Sequence, residues 1–334
     1  MIRPRVTVLM SVYNGRAYLA EAVQSILDQT FSDFEFLIID DGSTEPVEEV
    51  VSTFSDPRIR FVSQENIGLT RALNRGLALA RGELVARMDA DDLSVPTRLE
   101  SQVREMATNE NMDLVGCFFD VVDNRGAPIE HKEPFVDPIY RLWRLQFHNN
   151  YGHGSVMLRK RAVIEAGMYD ESLRYAQDYD LWSRLSGKSN TKIIPEALYR
   201  YRLVDKGDQA SVRNYDAQLA TAIRISNRNI KLCNPALTDA ECGEVRALYW
   251  SFQVELLSRA GIHLLPATFE GFCSRFDLTS VEKSRLADRV AADALEQIVS
   301  SQRIPESEQA YLADVVGAWR SKLADKLGRN RQAR

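Results

Sequence analysis

Several aspartates stand out for what they could bind. Asp89-Ala90-Asp91-Asp92 packs three carboxylates into one short stretch. Such a group is costly to bury unless something positive meets it. Carboxylates of this kind suit a hard divalent ion that keeps positions open for phosphate oxygens. The plainer alternative is a solvated acidic turn in which Asp92 caps the helix that follows Pro96. A second run, Asp40-Asp41-Gly42-Ser43, can accept hydrogen bonds from a uracil N–H or a ribose hydroxyl; Asp-Gly is also an ordinary turn dipeptide. Nearby in the pattern lie Ser11 and Tyr13, the latter an aromatic able to stack on a base or simply to flank a turn. Asn66 and Arg71 supply an amide and a guanidinium, the guanidinium suited either to a phosphate or to a solvated helix face. Asp178 and Asp180 sit two apart, so on a helix they face different ways and only one can point at a substrate. Trp182 is an aromatic that could stack on a ligand or pack in a core, and a lone histidine such as His153 is more often structural.

These residues need elements to place them. Val6–Met10, Phe34–Asp40, Ile59–Val62, Leu84–Met88 and Val115–Val122 read as buried strands. Between them, Ala17–Thr30, Val47–Phe54, Leu69–Ala80 and Thr97–Asn109 carry apolar residues at helical spacing, such as Leu69, Leu73 and Leu77. Alternation of this rhythm predicts parallel strands joined by right-handed crossovers. Ligands of such sheets bind outside the carboxyl ends of the strands. Both acidic runs stand at strand carboxyl ends, which points them at one cleft.

The ordered blocks VTVLMSVYNG (6–15), FEFLIIDDGST (34–44), ENIGLTRALNRGL (65–77), ARMDADD (86–92) with PTRLESQ (96–102), HGSVMLRKRAVIEAGMYDE (153–171) and AQDYDLWSRL (176–185) resemble family 2 glycosyltransferases. The resemblance implies an α/β GT-A fold: a Rossmann-like, mostly parallel central sheet flanked by helices. It implies inverting sugar transfer from a nucleoside diphosphate donor, UDP-linked by expectation, to a hydroxyl of a glycan or lipid-linked acceptor in surface polysaccharide synthesis. Ser11, Tyr13, Asp40, Asn66, Arg71 and Asp89 would meet the nucleotide. Asp89 and Asp91 would hold a manganese or magnesium ion, with Asp91 the direct ligand. Asp178 would be the general base, with His153 and Trp182 on the acceptor side. The chain departs from the family pattern at three places. Gln177 stands where a Glu is usual, Leu73 where many members have Arg, and Val204 where many place a histidine. Those departures leave a second reading, a catalytically degenerate nucleotide-sugar-binding or scaffold protein of the same fold. A nucleotidyltransferase would want a Gly-rich basic loop after the first strand, and 11–16 holds one Gly and one Arg.

The rest of the sequence bounds these readings. The 334 residues suit one large domain with an appendage. The composition, 45% hydrophobic and 27% charged, excludes a disordered or fibrous chain. A net charge of -5 argues against a general nucleic-acid binder. Cys117, Cys233, Cys242 and Cys273 are far apart and read as reduced thiols of a cytoplasmic protein. The four histidines are too scattered for a zinc motif. The apolar run at Val6–Met10 is too short for a signal peptide, and no run is long enough to span a bilayer. Helix signals dominate beyond about residue 205, so residues 1–205 read as the catalytic domain and 206–334 as a helical appendage. Capping boxes at Thr238/Glu241 and Thr279/Glu282 open two helices, the first read as running through Val245, Leu248, Phe252 and Leu256 to a stop at Gly261. Pro305 precedes a third helix bearing Leu312, Val315, Trp319, Leu323 and Leu327. The appendage is given three candidate roles: shaping the acceptor site, forming a homodimer, or peripheral contact with the inner membrane face through the basic tail from Arg320 onward. For that tail, packing against the appendage is the competing reading.

Overall fold

The structure, a computed structural model, describes residues 3–188, 190–203, 214–249, 257–301 and 304–332. It divides into two compact units, residues 1–138 with 150–221 and residues 139–149 with 222–334. Residues 139–149, within the span expected for the first domain, belong to the second unit; Val204 and the start of the expected boundary lie outside the described residues.

The first unit begins with β1 (Val6–Val12), α1 (Arg16–Leu27), β2 (Phe34–Asp41), α2 (Val47–Ser52), β3 (Ile59–Gln64), α3 (Leu69–Leu79) and β4 (Leu84–Met88). It continues through β5 (Leu93–Ser94), α4 (Arg98–Thr108), β6 (Leu114–Val122) and β7 (Pro128–Lys132). After the short helix α5 (Pro138–Leu145) come a 3-10 turn at His153–Ser155, β8 (Met157–Arg159), α6 (Lys160–Glu165), α7 (Gln177–Leu185) and β9 (Thr191–Arg202). The strands form one sheet in the order β3-β2-β1-β4-β8-β6-β9-β5, with β7 on β6.

The strands β1 to β4 are parallel, as the alternating pattern predicts. Every residue of β2 is buried, as expected of a strand covered on both faces. The register sets Val12 beside Asp40 and Met10 beside Met88. The two acidic runs therefore leave the sheet at one edge. Beyond β4 the sheet is mixed. β8 runs antiparallel to β4 and β6, and β5 antiparallel to β9, while β6 and β9 are parallel. These later strands are hard to read from sequence because β5 and β8 are very short. β9 carries Pro195 at the point where its register with β6 slips, a position where a missing N–H is tolerated.

The second unit contains α8 (Tyr215–Cys233), α9 (Asp239–Ala247), α10 (Arg259–Arg275), α11 (Ser280–Ser300) and α12 (Glu306–Gln332). Both expected capping boxes are formed, at Thr238/Glu241 and Thr279/Glu282. Gly261 is not a helix stop. It lies in the first turn of α10, capped by Ser258, where a Cβ would come 2.5 Å from the Glu244 carbonyl oxygen. The sequence conceals α10 because Pro266 stands inside it. Phe252 and Leu256 lie outside the described residues. The core centres on Trp143, which meets Phe147, Tyr249, Phe269 and Phe272 edge-on. The α12 residues Leu312, Val316, Leu323 and Leu327 are buried and Trp319 packs on Phe269. Arg320 pairs with Asp288 and Lys326 with Glu270. The apolar face once open to a membrane reading is thus used in packing, while side chains beyond Leu327 lie outside the described residues. No described helix is long and apolar enough to cross a membrane.

Candidate functional site

The site is built where β1, β2 and β4 end. At β2, Asp40 is buried, and its carboxylate accepts from the Ser43 N–H at 3.0 Å and the Ser63 hydroxyl at 3.3 Å. Asp41 points the other way. It accepts from Gln64 Nε2 at 2.6 Å and from the N–H groups of Ile67 and Gly68 at 3.0 and 2.9 Å. Asp41 thus braces the start of α3, and Asn66 completes the brace by donating its Nδ2 to the Asp41 carbonyl at 2.8 Å. Gly42, between these groups, has φ +73°. After β1, the Asn14 side-chain oxygen accepts from the Thr44 N–H at 2.7 Å, and the Asn14 backbone N–H donates to the Ser43 hydroxyl at 3.0 Å. The β1 and β2 loops are therefore stitched together, with Ser11 half-buried beneath them and Tyr13 55% exposed. An exposed aromatic at that strand end has a face free for a planar ring. Arg71 is exposed and pairs with Glu171 at 3.4 Å; Leu73 is core.

At β4, the acidic turn is held by three arginine and tyrosine side chains that the sequence reading did not single out. Arg87, buried in the strand, pairs with Asp89 Oδ1 at 2.6 Å. Tyr199 of β9 donates its hydroxyl to Asp92 at 2.7 Å, and the Arg202 N–H reaches the same carboxylate at 2.7 Å. The Arg202 side chain, fully buried, donates Nε to the Asp91 carbonyl at 2.9 Å and Nη2 to Glu21 at 2.6 Å. Asp92 is thus not a helix cap but the anchor of the turn. A charged residue within the apolar run Leu84–Met88 was the one sequence signal for Arg87. Burial and the Asp89 charge push the Asp91 carboxyl up to about 6, and burial with Asp89 and Asp91 pushes Asp92 well above the usual range. Asp89 and Asp91 are the carboxylates of this turn left partly exposed. Among the described residues no group of three or more His, Cys, Asp or Glu is arranged to hold a metal.

The opposite wall comes from the His153–Ser155 turn and α7. Gly154 packs so tightly that a Cβ would fall 1.9 Å from the Tyr199 hydroxyl and 2.7 Å from Asp89 Oδ2. His153 Nε2 lies 3.0 Å from the Tyr169 hydroxyl. Burial, then the Arg87 charge, lowers its pKa to about 3, so the ring is neutral. Tyr169 is buried and lies in the fields of Arg87, Asp178 and Asp89 together. Asp178 is half-buried in the first turn of α7, and Ala176 before it adopts the left-handed conformation, φ 52°, a strained state for a residue with a side chain. Asp180 is buried against Arg184 at 2.7 Å. Gln177 is buried. Trp182 offers no face to a sugar ring. It is fully buried, edge-on to Tyr151 and His153, because its position on α7 turns it into the core. The four cysteines are buried, and burial pushes Cys117 up to about 12.

Comparison with known proteins adds to this geometry. Residues 7–166 match the family described as glycosyl transferase family 2. The O-antigen biosynthesis glycosyltransferase WbnJ of Escherichia coli is 31% identical over 217 residues, which is 63% of this chain and 84% of WbnJ. S. aureus TarS 1-349, crystallised in complex with UDP-GlcNAc, superposes with a TM-score of 0.58 at 17% identity, covering 88% of this chain and 89% of its own. The mannosyltransferase PcManGT from Pyrobaculum calidifontis, in complex with GDP-Man and Mn2+, gives 0.52 at 18% identity over 98% of this chain and 88% of its own. The last two likenesses are of fold, the GT-A fold expected from the sequence.

Proposed function

Because the chain belongs to glycosyl transferase family 2, we propose that it transfers a sugar, with inversion, from a UDP-linked donor to a hydroxyl of a growing surface glycan or lipid-linked glycan. The observation that carries this reading is the convergence of Asp40, Asp89 and Asp91 at the carboxyl ends of β2 and β4, the parallel strands on either side of β1. The UDP-GlcNAc complex of TarS and the O-antigen role named for WbnJ support the donor and the acceptor class.

In this reading Asp40 accepts from the uracil N–H or a ribose hydroxyl, and Tyr13 stacks on the base. Of the acidic turn, Asp89 and Asp91 are partly exposed while Asp92 is committed to Tyr199 and Arg202, which leaves two carboxylates offering the hard oxygen ligands a divalent ion takes. Asp91 and Asp89 would hold manganese or magnesium, with diphosphate oxygens filling the positions left open. When bound, that ion offsets the negative charge of the departing diphosphate. Asp178 takes the proton of the acceptor hydroxyl as the new bond forms at the anomeric carbon. The bond from that carbon to the diphosphate breaks on the opposite face.

Thermal unfolding with UDP, GDP, CDP and dTDP, each with and without manganese, tests the donor half. A ligand specific to the folded state adds about 2.7 kcal/mol at a hundred times its dissociation constant. UDP with manganese is expected to raise the unfolding temperature, and UDP alone much less. No response to any nucleotide would instead favour the degenerate scaffold that Gln177 suggests. A nucleotide sugar consumed with release of nucleoside diphosphate then separates a transferase from both rivals.

A further inference from the structure

Two polar residues of the PTRLESQ block at the start of α4, Arg98 and Gln102, have been given no role above, yet both are buried beside the site. Arg98 and Gln102 are one helical turn apart, so they share a face, and both are fully buried. Arg98 Nη1 donates to the Gly154 carbonyl at 2.7 Å and to the Arg87 carbonyl at 3.2 Å. Gln102 Nε2 donates to the Ser155 carbonyl at 2.8 Å and to the Val115 carbonyl at 3.1 Å. The guanidinium lies 5.1 Å from the Tyr199 ring centroid. Two successive carbonyls of the 153–155 turn are therefore gripped from α4, and the same arginine also reaches β4.

Stability alone does not account for this arrangement. Arg98 Nε and Nη2 and Gln102 Oε1 are buried without a hydrogen-bond partner. Unpartnered buried polar atoms destabilise a fold, and apolar side chains of similar volume would fill the space without that penalty. The position of the gripped turn supplies a reason. Gly154 abuts Asp89 Oδ2, and His153 meets Tyr169 and packs edge-on to Trp182 of α7, the helix that carries Asp178. The turn thus joins the acidic loop to the wall that carries Asp178.

We propose that Arg98 and Gln102 are positioning residues that lock the 153–155 turn against Asp89 and so set the spacing between the donor carboxylates and Asp178. The inference rests on the transfer reading of this site. A base and a donor held a fraction of an ångström out of place lose rate without losing ground-state affinity. The clamp should therefore act on turnover and leave nucleotide binding alone.

Gln102→Met keeps the length and bulk of the side chain and removes both donated bonds. In that variant, hydrogen exchange across residues 150–158 should quicken about tenfold or more beyond any change in β1 and β2, which report the global cost of the lost bonds. Its dissociation constant for UDP with manganese should stay within about twofold of wild type, while kcat falls roughly ten- to a hundredfold. Arg98→Lys, which keeps a cation and one donor, should recover part of the turnover lost in Arg98→Met. Unchanged exchange in the turn overturns the clamp whatever the substrate proves to be. Nucleotide binding and turnover falling in step would make both residues plain scaffold and overturn it equally. A wild-type protein that binds no nucleotide would sink the transfer reading instead, and the exchange measurement would still decide the clamp.

Discussion

Asp178 and Asp180 share the first turn of α7 and have opposite fates. Asp180 is buried and engaged by Arg184 through Nε at 2.9 Å and Nη2 at 2.7 Å, an i,i+4 pair that ties the helix to itself. Asp178 is half-buried on another face, preceded by the strained Ala176. On the proposed reading Asp178 is the one that meets the acceptor, so the two residues would separate chemistry from stability. Asp178→Asn is expected to lower kcat roughly 10²- to 10⁴-fold, the usual worth of a general base, with UDP affinity and unfolding temperature unchanged. Asp180→Asn should do the reverse, lowering the unfolding temperature with kcat near that of wild type. Steady-state kinetics beside thermal unfolding checks both, and full turnover in Asp178→Asn would remove it as the base.

The loops that end β1 and β2 act as one element, because side chains cross between them and the start of α3. Gly42 is the point where this fails most readily. Its φ of +73° is left-handed, and a Cβ would come 2.5 Å from the Asn66 N–H nitrogen and 3.1 Å from the Asn66 Cα. Backbone cannot rotate out of the way as a side-chain tip can. Gly42→Ala should push the Asn66 loop off Asp41, costing about 1–3 kcal/mol of stability and weakening UDP binding about tenfold or more; a calorimetric titration with affinity unchanged would show the loop to be slack. The elements that carry this site were legible in sequence where the signal was local. The largely apolar runs of β1, β2 and β4 announced buried parallel strands, and acidic residues at their ends marked where the candidate site would lie. The braces were not legible, because Tyr199 and Arg202 reach Asp92 across more than a hundred residues of chain and no local pattern encodes such pairing. Trp182 was ambiguous for the same reason: whether an aromatic faces a ligand or the core depends on which side of α7 is covered. The helix α10 was hidden by its internal proline, and β8 by its three-residue length.

At the scale of the whole chain, the second unit takes a segment from inside the first. Residues 139–149 bring Trp143 and Phe147 into a core otherwise made by α8 to α12. They also bring His148, which gives that unit a pH dependence of its own. His148 Nε2 faces the Arg144 guanidinium at 2.9 Å, and its Nδ1 faces the Asn149 carbonyl at 3.0 Å. A neutral ring with its proton on Nδ1 satisfies both contacts. Arg144 is in turn committed to Tyr140, Asp293 and the Tyr249 carbonyl, so it cannot swing aside. Burial, then the Arg144 charge, lowers the His148 pKa to about 4. In the unfolded chain the ring titrates near 6.5. Between those values the unfolded state binds the proton and the folded state does not, so stability falls as the pH drops from about 6.5 to about 4 and is fully present above 6.5. The full effect is on the order of 3 kcal/mol. His148→Gln keeps an acceptor for Arg144 and cannot be protonated. The protection of residues 222–249 and 257–300 in the intact chain, corrected for the base-catalysed intrinsic exchange rate at each pH, should therefore fall between pH 7 and pH 5 in wild type and much less in the variant. An equal acid response in both proteins would mean that His148 is not the group that loosens this unit.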